Sequence, residues 1–90
     1  MPRRLPAMKF TQYFLHNRDR PDRREIKEEW IERVIRNPLC EATQDDGRIR
    51  LWGQIEEAEG RYLRVVLLED RQTIHNAFFD RRFREKNDES

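Results

Sequence analysis

The hydrophobic period changes once along this chain, and the change falls at Asn37-Pro38. Before it, Ile26, Trp30 and Val34 recur at i, i+4 and i+8, with Ile31 and Ile35 beside them. That is the apolar stripe of an amphipathic helix, with Lys27, Glu28, Glu29, Glu32, Arg33 and Arg36 around the other side. Asp22 followed by Glu25 resembles a capping box and predicts the start, and a residue before proline leaves the helical region, which predicts the stop. After it the pattern alternates with period two. Strands are expected over 39–44, 48–55, 62–69 and 73–79, with turns at 45–47, 58–60 and 69–72. A shorter helix is expected within 9–20, where Phe10, Tyr13 and Phe14 share a face, Thr11 offers an N-cap and Pro21 blocks continuation. Helices followed by strands with short links predict an α+β fold: one or two N-terminal helices packed on one face of a four-stranded antiparallel meander.

The chain has 90 residues, enough for one domain with a thin core. The expected divisions are a loose arm over 1–8, the domain over 9–80 and a charged, frayed tail over 81–90. No apolar run approaches a membrane span, and MPRRLPAMKF lacks a signal peptide's apolar stretch. A single cysteine, Cys40, excludes an internal disulfide, and it is expected to be buried and inert at the start of a strand. A soluble cytoplasmic protein without membrane contact is expected. No metal site or cofactor is expected either. The two histidines, His16 and His75, lie far apart in sequence, and three glycines form no phosphate loop. Charge is uneven: residues 1–24 hold seven basic and two acidic residues, whereas 25–60 hold five and ten. A basic end is a weak pointer to an acidic partner, RNA or protein. Sixteen of the nineteen basic residues are arginine, which suits bidentate phosphate contact, although base composition in the genome produces the same bias.

Hairpin register decides which side chains share a surface. A three-residue loop at 58–60 with a glycine bulge pairs Leu51 with Leu67 and Ile55 with Leu63. A loop centred on Asp70-Arg71 pairs Leu67 with Ile74. The face toward the Trp30 helix then holds Ile49, Leu51, Ile55, Leu63, Val65, Leu67, Ile74 and Phe78. The other face interleaves Arg48, Arg50, Arg64 and His75 with Trp52, Tyr62, Val66, Ala77 and Phe79. Arginines set among aromatics can hold phosphate and stack bases, and His75 can exchange a proton near neutral pH. The alternative is a minor aromatic core beneath the Phe10–Phe14 segment, edged by solvated arginines.

Four strings in order, "VIRNP", "DGRIRLWGQI", "GRYLRVVLLED" and "TIHNAFFDRRF", resemble a group of small bacterial domains of unknown function. Those domains are distantly similar to toxins of the BrnT and RelE type. The resemblance implies a RelE/BrnT-like topology and metal-independent RNA cleavage, with RNA as substrate and an antitoxin-like protein as partner. Such cleavage activates a ribose 2′-hydroxyl, stabilises a dianionic phosphorane and protonates a leaving oxygen. By this resemblance Arg64 and Arg50 clamp phosphate, Arg81 and Arg82 assist, His75 is the acid or base, and Trp52 or Tyr62 is a stacking platform. Two rivals stand beside it: a non-catalytic protein-interaction module on the same face, and an RNA binder without chemistry. The oligomeric state is left open.

Overall fold

The computed structural model describes residues 8–83, so all but residue 8 of the arm expected over 1–8, and residues 84–90 of the tail expected over 81–90, lie outside the described residues. The architecture is α+β. Strand β1 (Lys9–Phe10) is followed by helices α1 (Gln12–Asn17) and α2 (Glu28–Arg36), then by strands β2 (Cys40–Thr43), β3 (Ile49–Ile55), β4 (Arg61–Leu67) and β5 (Thr73–Phe79). The sheet order is β1-β5-β4-β3-β2. Strands β2 to β5 form the expected antiparallel meander. The sheet is nevertheless five-stranded and mixed, because β1 adds to the edge parallel to β5, pairing Lys9 with Thr73 and Phe10 with Ile74. Phe10 is therefore a strand residue and not part of the first helix, although its ring still stacks on Phe14 at 4.9 Å.

Strands β1 and β2 lie on opposite edges, so the chain between them crosses the sheet on one face. Helix α1 begins where expected: the Thr11 hydroxyl accepts from the Phe14 N–H at 3.1 Å. Helix α2 begins later than expected. Its N-cap is Lys27, which makes no side-chain cap bond, and the 20–25 stretch turns instead of coiling. The capping box does not form: Asp22 and Glu25 both lie in that turn ahead of the helix, Asp22 exposed and Glu25 paired with Arg61. Glu28 and Glu29 in the first turn and Arg33 and Arg36 in the last complement the helix dipole. The helix stops at Asn37 as Pro38 requires.

The apolar stripe of α2, Trp30, Ile31 and Val34, packs on β3 and β4. Beneath it Ile55, Leu63, Val65 and Ile74 are fully buried. Burying a side chain of this kind contributes about 1.5–3 kcal/mol. Gly53 faces the helix too, and a Cβ there would sit 2.8 Å from Val34 Cγ2, so the missing side chain sets how closely α2 approaches β3.

Two registers differ from expectation. Residues 56–60 form a longer loop with a 3-10 turn, so Leu51 pairs with Val65 and Leu63 with Gly53. This is a slip of two residues, which keeps every side chain on its face. The β4–β5 pairing does change faces. Leu67 pairs with Ile74 but Val66 pairs with Asn76, leaving His75 as an extra, bulged residue. Beyond the bulge, Ala77 and Phe79 therefore join the helix-side core, and Phe78 moves to the opposite face. Cys40, expected to be buried, is exposed on the open β2 edge.

Candidate functional site

Among the described residues one face of the sheet carries no helix, and this helix-free face is organised by pairing across β2 to β5. Cys40, Trp52, Arg64 and Phe78 form one cross-strand row, and Ala42, Arg50, Val66 and Asn76 form the next. Neighbours within a row are about 4.8 Å apart along the hydrogen-bonding direction. Arg50 and Arg64 are thus diagonal neighbours on one surface.

Trp52, expected as an open stacking platform, is 8% exposed. Phe83 covers it, stacked at 5.0 Å with an interplanar angle of 15°, and meets Tyr62 edge-on at 5.1 Å. Phe83 falls within the tail expected to fray. What holds it near the sheet is a turn after β5, in which the Asp80 carboxylate accepts the Arg82 N–H at 3.0 Å. The second oxygen of Asp80 accepts the Trp52 indole N–H at 3.1 Å and lies 3.5 Å from an Arg64 nitrogen. Burial pushes the Asp80 carboxyl up. The indole and backbone hydrogen bonds and the Arg64 guanidinium outweigh that, so its pKa lies below the ordinary value. Asp80 is the organising residue that sequence reasoning missed. The signal for it was an aspartate at a strand end followed three residues later by a lone phenylalanine.

Arg64 lies over the rings of Trp52 and Phe78, at 5.6 and 5.1 Å. Its Nε is buried and bonds to nothing. The Arg50 Nε is buried and orphaned in the same way. Most half-buried arginines have a carboxylate: Arg18 pairs with Glu28, Arg23 with Asp22, Arg48 with Asp46 and Arg64 with Asp80. Among the described residues, Arg50 is the one half-buried arginine with neither an ion pair nor a side-chain hydrogen bond.

His75 is not in this cluster. It lies three residues along β5 from Phe78, the partner of Arg64, a rise of about 10 Å. The bulge turns it toward β1 and α1. There its Nδ1 is 3.1 Å from the Thr11 hydroxyl, and its ring stacks on Tyr13 at 4.8 Å. Thr11 already accepts the Phe14 N–H, so its own hydrogen is free to be donated to a neutral Nδ1. Desolvation lowers the His75 pKa, the Arg48 charge lowers it further, and Asp46 opposes both. Arg81 and Arg82 are exposed in the turn after β5, and Tyr62 is half-buried opposite Gln54. Arg64, Arg50, Trp52 and Tyr62 are thus brought onto one surface, with Arg81 and Arg82 at its rim and His75 apart.

Among the described residues, no group of three or more His, Cys, Asp or Glu side chains is placed to hold a metal ion, and no helix is long and apolar enough to cross a membrane. No family model, curated protein or solved structure matches the chain.

Proposed function

We propose that the helix-free face of the sheet binds single-stranded RNA through its phosphates, with Arg50 and Arg64 as the principal contacts. The observation that carries this is Arg50. Its Nε is sealed, but its two Nη nitrogens are neither buried nor bonded among the described residues, and a phosphate supplies the counter-ion they lack. Arg64 stands diagonal to it on the same face, which supports two guanidinium groups meeting one anionic strand. The RelE/BrnT-like topology and a cytoplasmic site of action belong to the same proposal. In that frame the domain is an RNA binder of toxin-like ancestry. The separation of His75 from Arg64 favours binding over cleavage at a single phosphate, and His75 then serves the local structure around Thr11.

Titration of a fluorescent 12-residue oligouridylate at several salt concentrations tests this. Binding is expected, with a log–log salt slope that flattens by about 0.7 in Arg50→Gln, the share of one single-strand phosphate contact. No binding at low salt overturns the proposal. RNA recovered intact supports binding without chemistry; cleavage that disappears in both Arg64→Ala and His75→Ala restores the ribonuclease expected from the resemblance. The protein-interaction rival rests on the open β2 edge, whose four residues are all exposed. The Gln44 N–H bonds the Arg48 carbonyl, so by antiparallel alternation Glu41 and Thr43 direct their backbone groups outward. A co-purifying protein that protects those amides from exchange, with no RNA affinity, decides for that rival.

A further inference from the structure

Among the described residues, three of the four buried side-chain nitrogens without a hydrogen-bond partner are arginine Nε atoms: Arg23, Arg50 and Arg64. Arg50 and Arg64 belong to the face already described. Arg23 does not come from the sheet at all. It lies in the connection between α1 and α2, inside a run of charge that reads as a turn. Its side chain is only 17% exposed, less than the 23% of Arg64. The Arg23 Nη1 donates to Asn76 Oδ1 at 2.8 Å, and its guanidinium carbon lies 5.4 Å from the centre of the Phe78 ring. Both of those residues point to the helix-free face, Asn76 in the row of Arg50 and Phe78 in the row of Arg64. Arg23 therefore reaches around the β5 edge, which β1 leaves uncovered beyond Ile74. Its carboxylate neighbour, Asp22, is 70% exposed and lies 3.4 Å from the Arg23 Nε without a hydrogen bond.

The Arg23 and Arg64 guanidinium groups flank one ring, lying 5.4 and 5.1 Å from the centre of Phe78, so they stand on the same surface. Their Nε atoms are sealed from solvent beside Asp22 and Asp80, so the outer Nη groups are what a ligand meets. Arg50 lies in the next row and has no carboxylate partner among the described residues. The exposed Arg33, Arg61 and Arg71 each hold a glutamate instead. An anion with several oxygens suits guanidinium groups gathered on one surface.

We propose that Arg23 is a third phosphate-binding residue, which extends the site across the β5 edge so that an RNA strand runs from Arg50 and Arg64 over Phe78 to the α1–α2 connection. This rests on the RNA-binding proposal above and names the path the strand takes. Arg23 is held by Phe78 and Asn76, so its fork is preorganised and little side-chain entropy is lost on contact.

The test uses the full chain and the same labelled oligouridylate. Arg23→Gln is expected to weaken binding and to flatten the salt slope by about 0.7, as Arg50→Gln does. Arg23→Lys, which keeps the charge, is expected to keep the slope while losing part of the affinity. A structural role alone moves the melting temperature and leaves the slope unchanged. In the unaltered protein, the Nε–Hε resonances of Arg23, Arg50 and Arg64 are expected to shift together as oligouridylate is added; this readout does not depend on any variant folding. If the Arg50 and Arg64 resonances shift and that of Arg23 stays fixed, Arg23 is not a contact and the shorter site stands. If the unaltered protein binds no oligouridylate, the underlying proposal fails and this one fails with it.

Discussion

The two sides of the sheet handle arginine differently. On the helix side the buried layer is almost purely carbon, and the arginines stand at its rim, paired with glutamates. Arg33 and Glu57 meet through two hydrogen bonds of 2.9 and 3.0 Å, and Arg71 grips Glu41 in the same range. On the other side Arg64 and Arg50 lie within the layer, beside Trp52, Val66 and Phe78, with one carboxylate, Asp80, between Arg64 and the indole. A rim arginine can swing to its counter-ion through water. An arginine packed among rings cannot, so its unmet valence stays where the backbone puts it. The apolar core is concentrated on the first side, and the half-buried arginine without a counter-ion among the described residues lies on the second.

That contrast breaks most readily in the core. Leu63→Ala removes a fully buried side chain facing α2 and is expected to cost about 2–5 kcal/mol in urea unfolding. Gly53→Ala is expected to cost about 1–3 kcal/mol by overpacking against Val34; a neutral result means α2 can move away from β3. Phe83→Ala on the other face is expected to cost about 1–2 kcal/mol and to shift Trp52 emission to the red as the indole meets water. A loss equal to that of Leu63→Ala would erase the difference between the faces. Arg50→Met is expected to change stability by less than about 0.5 kcal/mol, or to raise it, because an orphaned donor disappears. A large loss there would reveal a structural duty for Arg50. The smallest effect is that of pH. The folded-state pKa of His75 lies below its ordinary 6.5, so the unfolded chain binds the proton more readily. The His75 contribution is complete above that value and is lost as pH falls through the lower folded-state pKa. His75→Gln is expected to remove that part of the pH dependence; an unchanged profile would place His75 outside the titrating set.

How much of this was legible in the residues depends on parity. The stripe of α2 and the alternation of β3 survive any even slip, so the longer 56–60 loop moved the β3–β4 register without moving a side chain to the wrong face. The bulge at His75 is an odd insertion and exchanges Phe78 with Ala77 and Phe79. Neither a glycine nor a proline marks it. Strand β1 is two residues long, below what a periodic pattern can announce. Asp80 and Phe83 were hidden by composition, since a charged stretch reads as solvated even when one aspartate turns it back onto the sheet. Arg23 was hidden likewise, because a turn-forming run carries no indication that one guanidinium will reach around an edge strand. The candidate surface was therefore visible in its Arg50, Trp52, Tyr62 and Arg64 members and invisible in the residues that close it.

The pairing of β1 with β5 sets the order in which the domain can be completed. Phe10 is synthesised before every residue of the meander, yet its partner Ile74 follows 64 positions later. Until the last strand leaves the ribosome, α1 has no sheet beneath it and Thr11 has no imidazole to meet. The meander from β2 to β5 has local connections and can close early, while the opening segment must wait as an unpaired guest, a high contact-order step that slows final assembly. A chain arrested short of residue 74 would hold a half-built sheet with its first edge open.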